Sequence, residues 1–206
     1  MEGIQKKVEL EEGVSLTVGA ENETTEEDAN GLPPHSFEVV VQGGEDDEIA
    51  AAILSAKPAG IRAYGTTEVI VEDSEGHDKV VGFSRVETVD IYLAIEILRN
   101  NDPAEGEVYP LDGDDRVADA VLEYGETFIP GQNVVLNRFY NSINAIPGVF
   151  GITIKAGFTI NPTGTVNLSI TNRQLAVFDP TRIQVASAKS SIAKTRNRPA
   201  SGAGTG

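Results

Sequence analysis

The strictest constraint on this chain is the stretch from Val89 to Ile97. Val89, Ile91, Leu93, Ile95 and Ile97 alternate there with Asp90, Tyr92, Ala94 and Glu96. Successive side chains of an extended strand leave on opposite faces, so this spacing sends all five aliphatic residues to one side. That face must be buried. A single strand cannot bury itself, so sheet partners and a covering layer have to come from elsewhere in the chain.

Other segments supply them. Val14, Leu16 and Val18 alternate in a short candidate strand, followed by the polar segment Glu21 to Gly31 and Pro33-Pro34, which is expected to be a loop. Ser36 to Gln42 is predicted as a strand that Gly43-Gly44 stops, and a helix is predicted to follow. Glu45, Asp46, Asp47 and Glu48 crowd the first turn of that helix, where carboxylates meet the positive end of the helix dipole. Its apolar stripe is Ile49, Ala52, Ile53 and Ala56, and Lys57-Pro58 with Gly60 ends it. Thr67 to Val71 and Lys79 to Val86 flank the turn Asp73-Ser74-Glu75-Gly76 as a hairpin. Farther on, helical spacing marks Asp114 to Tyr124 and Val134 to Ala145, and Pro147-Gly148 stops the second of these. Phe150 to Phe158 and Val166 to Ile170 alternate like strands around the turn Asn161-Pro162-Thr163-Gly164, with further short strands near Leu175 to Phe178 and Arg182 to Val185.

The fold class expected from this order is α+β: two small α+β domains with short mixed or antiparallel sheets and an extended C-terminal tail. The expected boundaries are an N-terminal strand and acidic loop over 1–35, a first domain over 36–98, a linker over 99–113, a second domain with a helix pair over 114–186, and a basic, Gly-rich flexible tail over 187–206. With 206 residues and 40% apolar content, either domain has material for a core.

Charge narrows the partners. The formal net charge is −16, which repels a phosphate backbone, so no nucleic acid is expected. Residues 1–128 hold 8 Lys/Arg against 31 Asp/Glu, whereas residues 129–206 hold 8 against Asp179 alone. That asymmetry fits either a solvated acidic surface or the attraction of acidic and basic ends in a head-to-tail assembly, and charge alone does not choose. Interfaces are expected at Glu26, Glu27 and Asp28 in the acidic loop and at Lys194, Arg196 and Arg198 in the tail. Met1 to Leu10 is charged and no apolar run approaches the roughly 20 residues of a bilayer span, so a soluble, unexported chain with no membrane partner is expected.

Groups for catalysis are sparse. The absence of cysteine excludes disulfides, thiolate metal sites and cysteine nucleophiles. His35 and His77 stand in separate loops without acid/base partners, and Ser36 beside His35 points away from it on a strand. Asp112 to Glu123 has the length of a calcium loop but places Arg116 and Val117 where a ligand and a turn glycine belong. Glu26 to Gly31 is a solvated loop, or at most a weak site for a hard cation. Gly43-Gly44 could suggest a phosphate cradle, but four carboxylates follow it and no Lys-Ser/Thr does. Asn22-Glu-Thr24 and Asn167-Leu-Ser169 match the glycosylation pattern without a leader to give it meaning. No catalytic, cofactor or metal residue is therefore assigned, and no enzyme is expected.

The order of the turn-forming pieces carries a resemblance. Glu21 to Gly44, containing Ala29-Asn-Gly-Leu-Pro-Pro-His-Ser36 and Phe37-Glu-Val-Val-Val-Gln-Gly-Gly44, resembles the middle of the baseplate J-like proteins of contractile-tailed phages. Asp47 to Ala50, Lys57 to Ile61, Ala63 to Thr67 and Val81 to Arg85 follow in that family's order. Ile129 to Gln132, Ile146 to Val149 and Ala176 to Pro180 are similar to its C-terminal domain. The resemblance spans about residues 13–186, and related proteins usually carry a longer N-terminal region. It implies a non-enzymatic subunit of the baseplate wedge that joins a ring around the central hub and couples baseplate opening to sheath contraction. The implied partners are other wedge and hub proteins and possible sheath or tube-end proteins, in homo- and hetero-oligomers. The implied place is the virion tail baseplate, assembled in the host cytoplasm, with no cofactor. The main alternative is a host-surface or carbohydrate-binding tail module, which needs exposed aromatic platforms that a chain with 6% aromatics and no Trp supplies poorly. A wall hydrolase is a third, and would need two carboxylates about 5–10 Å apart in a cleft.

Overall fold

A computed structural model describes residues 1–189 and shows an α+β protein with two cores, each built on its own sheet. The first unit opens with a helix in a charged stretch to which the sequence pattern assigns no element, α1 (Glu2–Val8). Its Ile4 and Val8, one turn apart, are its two buried residues, while the Lys6 ammonium bonds the Glu2 carboxylate at 2.8 Å on the outer side. Strands β1 (Val14–Asn22) and β2 (Ser36–Gly43) pair antiparallel. After α2 (Asp46–Ala56) come β3 (Arg62–Tyr64), β4 (Thr67–Glu72) and β5 (Asp78–Arg85). The sheet order is β1-β2-β5-β4, with β2 and β5 parallel and β3 added beside β2.

The expected stripe on α2 does its work: Ile49, Ala52 and Ile53 are buried against Phe37, Val39 and Val41 of β2 and Val81 and Phe83 of β5. The hairpin forms as expected, and the Asp73 carboxylate closes its turn by accepting bonds from the amides of Glu75 and His77. Two motif glycines lie where strands press together. A Cβ on Gly65 would come within 2.1 Å of the Phe83 carbonyl, and one on Gly82 within 2.8 Å of the Gly65 nitrogen, so neither position accepts a side chain.

The second unit begins with β6 (Glu87–Asp90) and β7 (Tyr92–Arg99). It continues through α3 (Gly113–Gly125), α4 (Leu136–Asn144), β8 (Val149–Gly157), β9 (Gln174–Val177) and β10 (Ile183–Lys189), with 3-10 turns at Pro103–Glu105 and Pro180–Arg182. The alternating run is extended as predicted, but it is divided at Ile91 between β6 and β7, and it belongs to this unit and not to the first. β7 is the central strand of β10-β7-β8, parallel to β10 and antiparallel to β8, while β6 pairs in parallel with β9. The buried row of Ile91, which joins β6 to β7, with Leu93, Ile95 and Ile97 of β7 packs with Val117 and Val121 of α3 and Phe139 and Ile143 of α4. An aromatic group seals one end, with Tyr124 and Phe139 edge-on at 4.8 Å and Phe128 against Phe178 at 5.1 Å.

Three further boundaries differ from the sequence reading. Helix α4 starts at Leu136 because both backbone groups of Val134 are taken by Leu168, amide to carbonyl in each direction at 3.0 Å. Val166 to Ile170 forms only that isolated bridge and no strand, since the Ile170 amide is held by the Asn133 side chain at 2.8 Å and Val166 is largely exposed. Strand β10 continues to Lys189, past the expected tail boundary at 187, because β7 offers paired positions as far as Arg99. Among the described residues no helix is long and apolar enough to cross a membrane.

Candidate functional site at the seam between the units

Among the described residues the chain passes from one core to the other once, at Val86 between β5 and β6. Strand β2 shows what this crossing brings together. Phe37, Val39 and Val41 fill the first core, and the other face, with Ser36, Glu38 and Val40, is equally buried. Part of that second face lies against the second unit. Val40 and Glu38, with Val18 and Ala20 of β1, line a cleft of about 340 Å³ whose opposite wall holds Ile129, Pro130 and Asn172.

Glu38 is a charged residue only 3% exposed. Its Oε1 accepts a hydrogen bond from the Ser84 hydroxyl of β5 and another from Arg173 Nε, at 2.7 Å, from the loop entering β9. The Ser84 oxygen in turn accepts from the Thr66 amide at 3.0 Å, which fixes its rotamer. The Glu38 hydrogen bond and charge hold the Arg173 proton more firmly than usual. Backbone bonds run beside the pair: the Glu87 amide donates to the Arg173 carbonyl at 2.9 Å, and the Val86 amide to Val41 at 3.1 Å. Pro130-Gly131 makes the facing turn, with Gln132 bonding back to Ile129 and Gly131 at φ 80°. A second cleft of about 450 Å³ lies beyond the ion pair, between Ala29-Asn30 of the acidic loop and Ile170 to Arg173.

Removing Arg173 leaves the buried Glu38 carboxylate without its charged partner, at a cost below the roughly 3–5 kcal/mol of a fully buried pair because the Arg173 side chain is 28% exposed. No sequence signal announced it. Glu38 looked like an ordinary residue on the free side of a strand, and its partner lies 135 positions away.

The predicted site residues fall elsewhere or have other work. Asp28 is spent on shaping its own loop: its Oδ1 accepts from the amides of Leu32 at 2.8 Å and Asn30 at 2.9 Å, and these donors, Leu32 foremost, hold its carboxyl below the usual range. Glu26 and Glu27 are exposed, with the Glu26 carbonyl accepting from Asn22 Nδ2 and Thr24 Oγ1. Lys194, Arg196 and Arg198 lie outside the described residues. His35 is exposed at φ 50°, His77 stands 3.6 Å from Asp73 in the hairpin turn, and the Ser36 hydroxyl donates to the Pro33 carbonyl at 2.6 Å. Among the described residues no group of three or more His, Cys, Asp or Glu is placed to hold a metal ion. Asp114 of the calcium-loop look-alike accepts instead from the Tyr109 hydroxyl at 2.8 Å and the Ser187 hydroxyl at 3.1 Å. The Gly43-Gly44 carbonyls are held by Arg85, which also pairs with Asp46 at the start of α2. Asn22 of the first glycosylation pattern is 4% exposed and donates to both Glu26 and Leu32 carbonyls, so its amide is not available in the folded chain.

The units also redistribute the charge. Residues 1–85 carry 19 Asp/Glu against 6 Lys/Arg, and residues 87–189 carry 13 against 7, so both folded units are acidic. The basic excess of the sequence's second half is shared: residues 129–189 hold 5 Lys/Arg against Asp179 alone, and residues 190–206 add Lys194, Arg196 and Arg198. No family model matches the chain, and no curated protein matches it either.

Proposed function

We propose that this chain is a non-enzymatic structural subunit of a contractile-tail baseplate wedge, similar to the C-terminal half of the baseplate J-like proteins. The observation that carries the reading is the ordered run of motifs from Glu21 to Pro180. The uses of those motifs support it, because they are architectural. Gly65 and Gly82 let strands touch, Pro130-Gly131 walls the seam, and Gly148 passes so near Tyr109 that a Cβ would lie 2.2 Å from its nitrogen. Arg85 of the Val81–Arg85 piece ties β5 to the start of α2. Such residues hold a shape for neighbours to dock against.

In this role the chain joins other wedge subunits into a ring around the hub, in homo- and hetero-oligomeric contact, within the virion tail. The acidic surfaces of the two units offer counterparts to a basic segment, which keeps the head-to-tail attraction with its basic side in residues 129–206. The test is immunogold labelling of isolated tails. The reading expects gold at the baseplate end beside the hub, and gold on the capsid or along the sheath, or particles without the protein, would overturn it.

A further inference from the structure

Three features of the seam point the same way. Each unit has a complete apolar core of its own, and the two cores share no residue. The covalent crossing is one residue, Val86. The ground between the units is open on both sides of the Glu38–Arg173 ion pair, whose carboxylate is buried and whose guanidinium is partly exposed, with clefts of about 340 and 450 Å³. A continuous apolar interface would resist relative motion. Two bodies joined at one point, with a polar contact between clefts, are the arrangement in which hinge motion is the default.

We infer that the units form a hinge at Val86 latched by Glu38 and Arg173. In the latched state Arg173 reaches across the seam to Glu38, which Ser84 orients from behind. Separation of Arg173 from Glu38 leaves the Val86 and Glu87 backbone bonds as the pivot. The clefts supply room on either side. Release gives up the charge-assisted bond between Glu38 and Arg173 and leaves both charges to the cleft water. A neighbouring subunit that offers a cation to Glu38 or a carboxylate to Arg173 offsets that loss, so docking and opening are linked. The device is independent of the wedge reading, although a wedge subunit is a natural user of it.

The chain has no cysteine, so nitroxide labels can be placed by substitution alone. Ser74→Cys in the β4–β5 turn and Asn141→Cys on α4, both exposed, span the seam. Glu12→Cys with Ser74→Cys and Asp119→Cys with Asn141→Cys report each unit internally. Pulsed electron paramagnetic resonance on the full chain should give one narrow cross-seam distance. Arg173→Ala should convert it to a broad or two-peaked distribution reaching longer distances, with both internal pairs unchanged. Glu38→Gln combined with Arg173→Ala, which leaves no stranded charge and so protects folding, should do the same. The inference is overturned if the cross-seam distance stays narrow in both variants, if the unaltered chain is already as broad, or if the internal pairs broaden equally.

Discussion

Truncating Ile95 to alanine should loosen one unit and leave the other alone. Ile95 is 1% exposed in the central strand of the second sheet, enclosed by both helices of that unit. Removing its outer carbons leaves a cavity that rigid neighbours cannot fill, which costs about 2–5 kcal/mol. Taking about 3 kcal/mol and a urea dependence of roughly 1.5 kcal/mol/M for a unit of this size, the midpoint should fall by about 2 M. Tyr92, Tyr109, Tyr124 and Tyr140 lie in the second unit and only Tyr64 in the first, so tyrosine fluorescence follows mainly the affected part. Amide hydrogen exchange resolves both. Peptides from 87–189 should exchange on the order of 100-fold faster, while those from 1–85 keep their rates. Ile53→Ala in α2 should produce the mirror image. If Ile95→Ala shifts both sets of peptides together, the two cores are one cooperative structure and the reasoning fails.

Other perturbations test particular contacts. Asn22→Ala removes two donors and the acceptor for Thr24 in the base of the acidic loop, at about 1–3 kcal/mol, and limited proteolysis should then cut within 23–31. Tyr109→Phe should cost about 1.5–3 kcal/mol in thermal or urea unfolding, because a hydrogen bond to the Asp114 carboxylate is lost. Burial first, and Asp114 second, push the Tyr109 phenol upward, so the native state keeps a proton that the unfolded chain gives up. Its contribution is complete below the ordinary value of about 10 and declines as pH rises beyond it; ultraviolet titration should show one tyrosine resisting ionisation in the native chain but not in the phenylalanine variant. Gly148→Ala combines φ 73° with a backbone collision at Tyr109, so its measured loss of stability should exceed the ~1–3 kcal/mol of backbone strain alone.

Local patterns were legible wherever the chain determines its own structure. The Val89–Ile97 alternation, the α2 stripe and the Asp73–Gly76 turn each depend on residues within one element or its immediate flanks. The partner of an alternating strand does not. Val89 to Ile97 has the same period whether it lies beside β5 or β8, and the complementary apolar surface of α3 and α4 decides the matter. The same limit explains Val134 and Val166 to Ile170, where one bridge and one Asn133 side chain replace the expected helix start and strand. In α1 the signal was present as Ile4 and Val8 but diluted by the charges between them. Glu38 with Arg173, and Arg85 with the Gly43-Gly44 carbonyls, are tertiary pairings without local trace. The charge asymmetry also changed meaning, because the acidic first turn of α3 belongs to the same unit as the more basic segment after it.

The most direct test of the central claim is the mass of the purified chain, alone and mixed with the other proteins of a contractile tail, at low and at high salt. A wedge subunit should enter defined complexes with tail components, and these should weaken as salt screens the acidic units from their basic partners. A chain that remains a monomer beside every tail protein, and binds a glycan instead, would contradict the account.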